Sequence, residues 1–276
     1  MELFSFVNDE LVPAGRASLL IGDLAIQRGY GIFDFFKTLD HRPIYLDDHL
    51  DRFFASAAAM RLEVGKTRDQ LRAMLEMLIK KNGIADSGIR IELTGGYSPD
   101  GYTLARPNLV IQQQPLGTPV TAELQPSIRL ITHPHQRQLP GIKTIDYLMA
   151  IWLQPVIREK GADEVLYHWN GVVAECPRSN FFIVTAEGVL VTPAREILKG
   201  ITRMKILEVA GARLRVEERD LRLEELRAAK EAFITSTTKH ILPVTQIDGL
   251  PVGDGAAGPV ARWLNEELWK FCQGRG

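Results

Sequence analysis

The chain has 276 residues, 33 basic and 34 acidic side chains, a formal net charge of −1, and 45% hydrophobic residues. This is a globular composition with room for one large or two smaller domains; it lacks the basic excess of nucleic-acid binders and of proteins held at charged membrane surfaces. No run approaches the ~18 apolar residues of a membrane span, the opening MELFSFVNDE lacks the basic region of a signal peptide, and Cys176 and Cys272 form neither a disulfide framework nor a zinc spacing. The expectation is a soluble cytoplasmic protein, most simply an enzyme.

In chain order, Leu3–Val7 and Ile32–Leu39 read as strands around the turn-rich Gln27-Arg-Gly-Tyr-Gly31. From Asp47, Leu50, Phe53, Phe54, Ala57 and Ala58 recur at helical spacing. A second helix opens on a capping box, Thr67 with Gln70, buries Leu71, Met74, Leu75, Leu78 and Ile79, and ends at Asn82-Gly83. Strands Gly88–Thr94 and Asn108–Gln113 follow. The Pro/Gly-rich stretch from Pro115 to Pro119 reads as a linker.

Beyond it, Ser127–Thr132 reads as a strand and Thr144–Lys160 as a helix. Glu164–His168 and Val172–Glu175 flank Asn170-Gly171, a strong hairpin signal. Phe181–Val184 and Val189–Val191 form a second pair; Thr202–Ala212, Leu223–Ala229 and Pro259–Phe271 read as helices, with strands Arg213–Glu217 and Glu231–Thr235 among them. Strands and helices without βαβ alternation predict an α+β fold. The predicted organisation is a small N-terminal domain over 1–116, a linker over 117–126 and a larger C-terminal domain over 127–276.

Four segments could carry chemistry. Gly200 precedes a helix with Thr202 at its N-cap, and a helix N-terminus is a ready phosphate site; most such starts are ordinary caps. Ser236-Thr237-Thr238 follows a hydrophobic strand, where hydroxyls in a turn can also hold phosphate oxygens. Lys143 sits between Ile142 and Ile145 after a Pro-Gly turn; in an apolar cleft its amine loses charge readily, as a Schiff-base lysine requires. Glu175 ends a strand before a Cys-Pro break, either as an exposed strand end or aimed at a heterocycle nitrogen.

In this order and spacing, the four segments resemble the class IV, or fold-type IV, pyridoxal-phosphate aminotransferases, and most closely the D-amino acid transaminases. The N-terminal part agrees: Gly29-Tyr-Gly-Ile-Phe-Asp34 is similar to the family's GDGVFE, and His49-Leu-Asp-Arg-Phe53 with Ser56-Ala57 to its HxxRLxxSA helix. Tyr30 and Arg178 depart from the family pattern. The resemblance implies a small N-terminal α/β sandwich and a larger barrel-like C-terminal domain with helices, a cofactor cleft between them, and a homodimer that completes each site with a partner loop around Arg28. It implies that Lys143 is covalently joined to pyridoxal phosphate, that Glu175 pairs with the pyridine nitrogen, and that Arg52, Ile201, Thr202 and Thr237 hold the phosphate. Tyr147 lies near the cofactor's phenolic oxygen, and Asn180 shapes the Glu175 strand. Phe33 and Thr238 are expected on the substrate side.

The same resemblance implies amino-group transfer from a D-amino acid of the D-glutamate or D-alanine type to 2-oxoglutarate or pyruvate. Gly95, in Glu92-Leu-Thr-Gly-Gly-Tyr-Ser-Pro99, stands where those enzymes trap the α-carboxylate with arginine. Arg28 and Arg90 are the candidate substitutes; strand alternation puts Arg90 on one face with Glu92, opposite Ile89 and Ile91. A branched-chain L-aminotransferase and an aminodeoxychorismate lyase are the alternatives. The first is disfavoured by the short spacing in Lys143-Thr-Ile-Asp-Tyr147.

Overall fold

The computed structural model describes residues 2–116 and 123–273. They fall into two compact units: 2–116 with Ile142–Asp146, and 123–141 with 147–273. Most of the expected linker, 117–122, lies outside the described residues.

The first unit runs β1 (Phe4–Val7), β2 (Glu10–Pro13), α1 (Leu24–Arg28), β3 (Gly31–Leu39), β4 (Arg42–Pro43), α2 (Leu46–Ala59), α3 (Arg68–Asn82), β5 (Ser87–Thr94) and β6 (Leu109–Pro115). The six strands form an antiparallel sheet in the order β2-β1-β6-β5-β3-β4. One face packs on α2 and α3: Ile32, Phe36, Ile89 and Ile91 meet Leu50, Phe53, Leu71, Leu75 and Leu78 in one apolar core. The capping box at Thr67 and the left-handed Gly83 end α3 as its sequence predicts. Buried Asp23 caps α1 through the Ala25 N–H and also accepts from Thr94 and Asn108, which ties this five-residue helix to the sheet.

The lysine segment belongs to this unit, not to the C-terminal part where a boundary at 127 would put it. Phe33 N donates to Lys143 O at 3.0 Å, Ile145 N donates to Gly31 O at 3.1 Å, and Ile32 bridges Thr144. Residues 143–145 thus add a short antiparallel edge to β3. This overturns the predicted helix start at Thr144: backbone groups spent on a strand edge cannot make helical bonds. Gly31 is required here, since a Cβ would lie 2.9 Å from Leu93 O and 3.0 Å from Ile145 Cδ1.

The second unit runs β7 (Ile128–Pro134), α4 (Leu148–Trp152), α5 (Gln154–Glu159), β8 (Glu164–Trp169), β9 (Val172–Val173), β10 (Asn180–Val184), β11 (Leu190–Pro193), α6 (Ile201–Ala210), β12 (Val216–Arg219), β13 (Leu221–Arg222), β14 (Glu231–Ser236), β15 (His240–Ile247), β16 (Leu250–Pro251) and α7 (Pro259–Cys272). Ten strands form one sheet with β12 at one end and β13 at the other. Asp220 alone joins those two end strands, so the sheet must curl round until its edges meet, which gives the expected barrel-like form. One face carries Phe181, Ile183, Ile234 and Leu242 inward. The other carries Phe182, Val184, Phe233 and Ile241 against α6 and α7. Leu223–Ala228 is a 3₁₀ turn rather than the predicted α-helix. Neither cysteine forms a disulfide among the described residues, and both are buried; no helix among those residues is long and apolar enough to cross a membrane.

Candidate active site

The first group of functional side chains stands on the sheet face opposite α2 and α3. Along β3, Phe33 alternates with Ile32 and Asp34, so Phe33 looks away from the core those helices cover. Lys143 Nζ lies 4.4 Å from the centre of the Phe33 ring and the Arg90 guanidinium carbon 3.8 Å from it. Both cations therefore sit around one aromatic ring, a favourable arrangement with its negative face. Arg90 and Glu92 share a face, as alternation predicts, and Arg90 Nε donates to Glu92 Oε2 at 2.7 Å. That bond and the stacking fix the guanidinium plane, while its two Nη groups meet no acceptor among the described residues.

Arg28 is placed differently. It is exposed at the end of α1 and donates from Nη1 to Gln27 O at 2.9 Å; no contact among the described residues links it to the Phe33 group. Gly95 lies beneath Leu24 and Tyr30, where a Cβ would come 2.9 Å from Leu24 Cδ1 and 3.2 Å from Tyr30 Cδ1. Any side chain there must displace both.

On the helix-facing side of the same sheet the candidate Arg52 belongs to a charged group whose pairing the sequence did not predict. Arg52 on α2 donates through Nε to Asp34 Oδ2 and through Nη2 to Asp34 Oδ1, both at 2.8 Å. His49 Nδ1 lies 2.7 Å from Asp34 Oδ1, and the Phe35 N–H donates to the same oxygen at 2.8 Å. Burial pushes the Asp34 carboxyl up, but Arg52 and then His49 outweigh it and hold it well below the usual carboxylate range. Burial pushes His49 down from 6.5; Arg52 and Lys143 add to this, and Asp34 only partly opposes it. The legible signal was an acidic residue in the apolar row Ile32-Asp34-Phe36, with His49 and Arg52 one helical turn apart.

A neutral buried histidine has a definite pH consequence. As pH falls through 6.5, the unfolded chain takes up a proton that folded His49 refuses, so stability declines as pH falls below that value. Asp34 acts lower: its contribution is present above about 3.8 and is lost as pH falls further. Denaturant melts from pH 8 to 5 should show stability falling as pH falls, and His49→Gln should make that fall shallower. An unchanged slope in that variant would refute the assignment.

The second unit presents a carboxylate and an anion cradle. Glu175, buried, follows β9 and is held in place through its backbone, which bonds Tyr167 on β8. Its side chain accepts from Arg137 Nη1 at 2.6 Å, from Leu198 N at 3.1 Å and from Asn180 Nδ2 at 3.2 Å. Arg137 was not found from sequence because nothing in its loop marks it. Burial, then the charge of Glu164, push the nearby Tyr167 hydroxyl up, so this ring stays neutral. Asn180 also donates to Leu198 O at 2.7 Å and accepts from Gly200 N at 3.1 Å, so one side chain locks Glu175 to the start of α6.

That start differs from expectation: Gly200, not Thr202, is the N-cap. A Cβ at 200 would lie 2.2 Å from Asn180 Oδ1, which excludes other residues without a shift. No side chain caps the helix, leaving the Ile201 and Thr202 N–H groups without an acceptor among the described residues. Thr235, cross-strand from Asn180 and so on its face, has a buried hydroxyl that meets no partner among the described residues. Thr237 and Thr238 form the turn between β14 and β15. Unsatisfied donors of this kind suit a phosphate, and a well-bound carboxylate suits a protonated ring nitrogen. Tyr147 lies half-buried at the start of α4, its carbonyl accepting from Ile151 N at 3.0 Å.

The first unit thus carries an amine beside an aromatic ring and an arginine, and the second a partnered carboxylate and a helix start with unsatisfied donors. The family model for amino-transferase class IV matches residues 31–247, and the chain belongs to the class IV aminotransferases. It is 32% identical to a D-alanine aminotransferase of Listeria innocua over 96% of each chain. It is 30% identical to the Bacillus licheniformis D-alanine aminotransferase, over 95% of this chain and 94% of that one. Among solved structures, the Escherichia coli branched-chain amino acid aminotransferase shares 26% identity and a TM-score of 0.91, covering 100% of this chain and 96% of that one. The branched-chain aminotransferase of the thermophilic archaeon Thermoproteus uzoniensis, solved with norvaline, shares 26% identity and a TM-score of 0.88, covering 100% and 96%. The chain is a pyridoxal-phosphate-dependent transaminase of fold type IV.

Proposed function

We propose that the chain transfers the amino group of a D-amino acid, of the D-alanine or D-glutamate type, to a 2-oxo acid such as pyruvate or 2-oxoglutarate. The observation that carries this reading is the stacking of Arg90 on the ring that also meets Lys143. It offers two N–H groups to an α-carboxylate close to the reacting amine. Gly95 supports it, because a glycine supplies no carboxylate trap from that position. The D-alanine aminotransferase relatives support the hand of the substrate.

Lys143, Arg52, Glu175, Asn180, Ile201, Thr202 and Thr237 are the residues that would hold the cofactor, with Tyr147 toward its phenolic oxygen. When bound, pyridoxal phosphate supplies the carbonyl that takes up the amino group and a ring that accepts the electron pair left on Cα. Lys143 Nζ would take the proton from the substrate Cα and hold it as the general acid/base. Glu175, steadied by Arg137, would keep a ring nitrogen protonated. Phe33 and Thr238 bound the substrate side, and Arg28 supplies a second carboxylate donor to the site of a partner copy. The homodimer this requires is supported by exposed Ile21 and Ile26 on the first unit and by Leu148, Ile151 and Trp152 along α4 on the second. Such apolar surfaces are characteristic of protein contacts.

A half-reaction screen tests the reading. Holoenzyme mixed separately with D-alanine, D-glutamate, L-glutamate and L-leucine should lose its visible cofactor band fastest with a D-donor. Faster conversion with L-leucine would favour the branched-chain reading that the solved neighbours raise. Pyruvate release without an added 2-oxo acid would mark a lyase.

A further inference from the structure

Two buried titratable groups, Asp34 and His49, take no part in the chemistry above. They occupy the sheet face that α2 covers, where an unpaired charge would be costly. Every part of the Asp34 carboxylate is engaged: Arg52 grips both oxygens, and His49 and the Phe35 N–H reach Oδ1. Asp34 is fully buried and His49 almost so. A carboxylate fixed by four donors cannot swing, so whatever it grips is fixed as well.

Arg52 is gripped in one particular way. It presents its side edge, Nε and Nη2, to Asp34. Nη2 also lies 3.4 Å from His49 Nδ1, but that nitrogen donates to Asp34 and so accepts nothing from Arg52; this leaves Nη1, which meets no acceptor among the described residues, and the outer N–H of Nη2 as the edge that faces a ligand. A planar guanidinium fixed along one edge offers the other as a ready fork for two oxygens of one anion.

We propose that Asp34, steadied by His49, is a positioning residue that sets the Arg52 guanidinium so that its Nη1/Nη2 edge meets the cofactor phosphate. The proposal rests on the assignment of Arg52 to that phosphate in the reading above. The clamp orders Arg52 before the cofactor arrives, so binding does not have to freeze a flexible side chain. It acts through Arg52, because both oxygens of Asp34 are taken up by Arg52, His49 and the Phe35 N–H.

This predicts selectivity for the phosphate rather than general weakening. Holoenzyme is dialysed to equilibrium against graded pyridoxal phosphate, and in parallel against pyridoxal, which lacks the phosphate. Asp34→Asn should weaken pyridoxal phosphate about tenfold or more and leave pyridoxal within about twofold, the ratio of the two constants being the readout. Equal weakening of both ligands, or of neither, would overturn the clamp. Should Asp34→Asn fail to fold, His49→Gln, which removes one anchor from Oδ1, should give the same selective loss to a smaller degree; an unchanged ratio there overturns the proposal as well. Arg52→Gln separates the two claims. If it leaves the ratio unaltered, the phosphate assignment itself fails; if it collapses the ratio while Asp34→Asn does not, only the positioning role fails.

Discussion

Lys143→Ala is expected to fold normally and to lose transamination by about 1,000-fold or more, because it removes both the covalent attachment and the group that carries the proton from Cα. Its structural cost should be small. The bonds that anchor residue 143 to β3 are main-chain bonds, Phe33 N to Lys143 O and Ile145 N to Gly31 O, and they survive truncation of the side chain. Thermal melts should therefore stay close to the parent while the visible cofactor band disappears. Borohydride treatment of the parent enzyme, followed by peptide mapping, should place a reduced adduct on Lys143 and nowhere else. An adduct on another lysine, or an active alanine variant, would reject the assignment. Added small amines should restore part of the Lys143→Ala activity, since they can re-supply a base where the side chain stood.

Arg90→Ala is expected to lower kcat/KM for the amino donor and for the 2-oxo acid by roughly 30- to 100-fold, or about 2–3 kcal/mol, the range for losing one partner of a partly screened charged pair. The loss should fall mainly on KM, because the carboxylate is held in the ground state and in the transition state alike. Arg90→Lys should recover little. A lysine keeps the charge but neither stacks flat on Phe33 nor offers two parallel N–H groups. Arg28→Ala should act on the same parameters only if a partner copy brings Arg28 to the site, so its effect should vanish under conditions that separate the subunits. Unchanged carboxylate affinity in both alanine variants would remove these arginines from substrate recognition.

Much of the local structure was legible in the chain. The capping box at Thr67, the glycine stop at Gly83, the Asn170-Gly171 hairpin and the apolar stripes of α2 and α3 are read within a few residues of sequence, and the fold bears them out. That Arg90 and Glu92 share a face is legible because strand alternation is also a local rule; that they pair is what the fold adds. Errors arose where distant segments compete for the same backbone groups. Thr144 has a helical neighbourhood but bridges Ile32, more than a hundred residues earlier. Gly200 rather than Thr202 caps α6, because Asn180, itself tied to Glu175, occupies the space that a side chain at 200 would need.

The inventory of the chemistry, a lysine between isoleucines, a glutamate at a strand end, hydroxyls and a glycine before a helix, was written in the residues and their order. Folding decided their company: that Lys143 joins the edge of β3 beside Phe33 and Arg90, that Asp34 and His49 grip Arg52, and that Arg137 reaches Glu175. Periodicity and capping act over one or two turns of chain. These partners lie 15 to more than a hundred residues apart, and only burial and the need to satisfy every backbone and charged group bring them together.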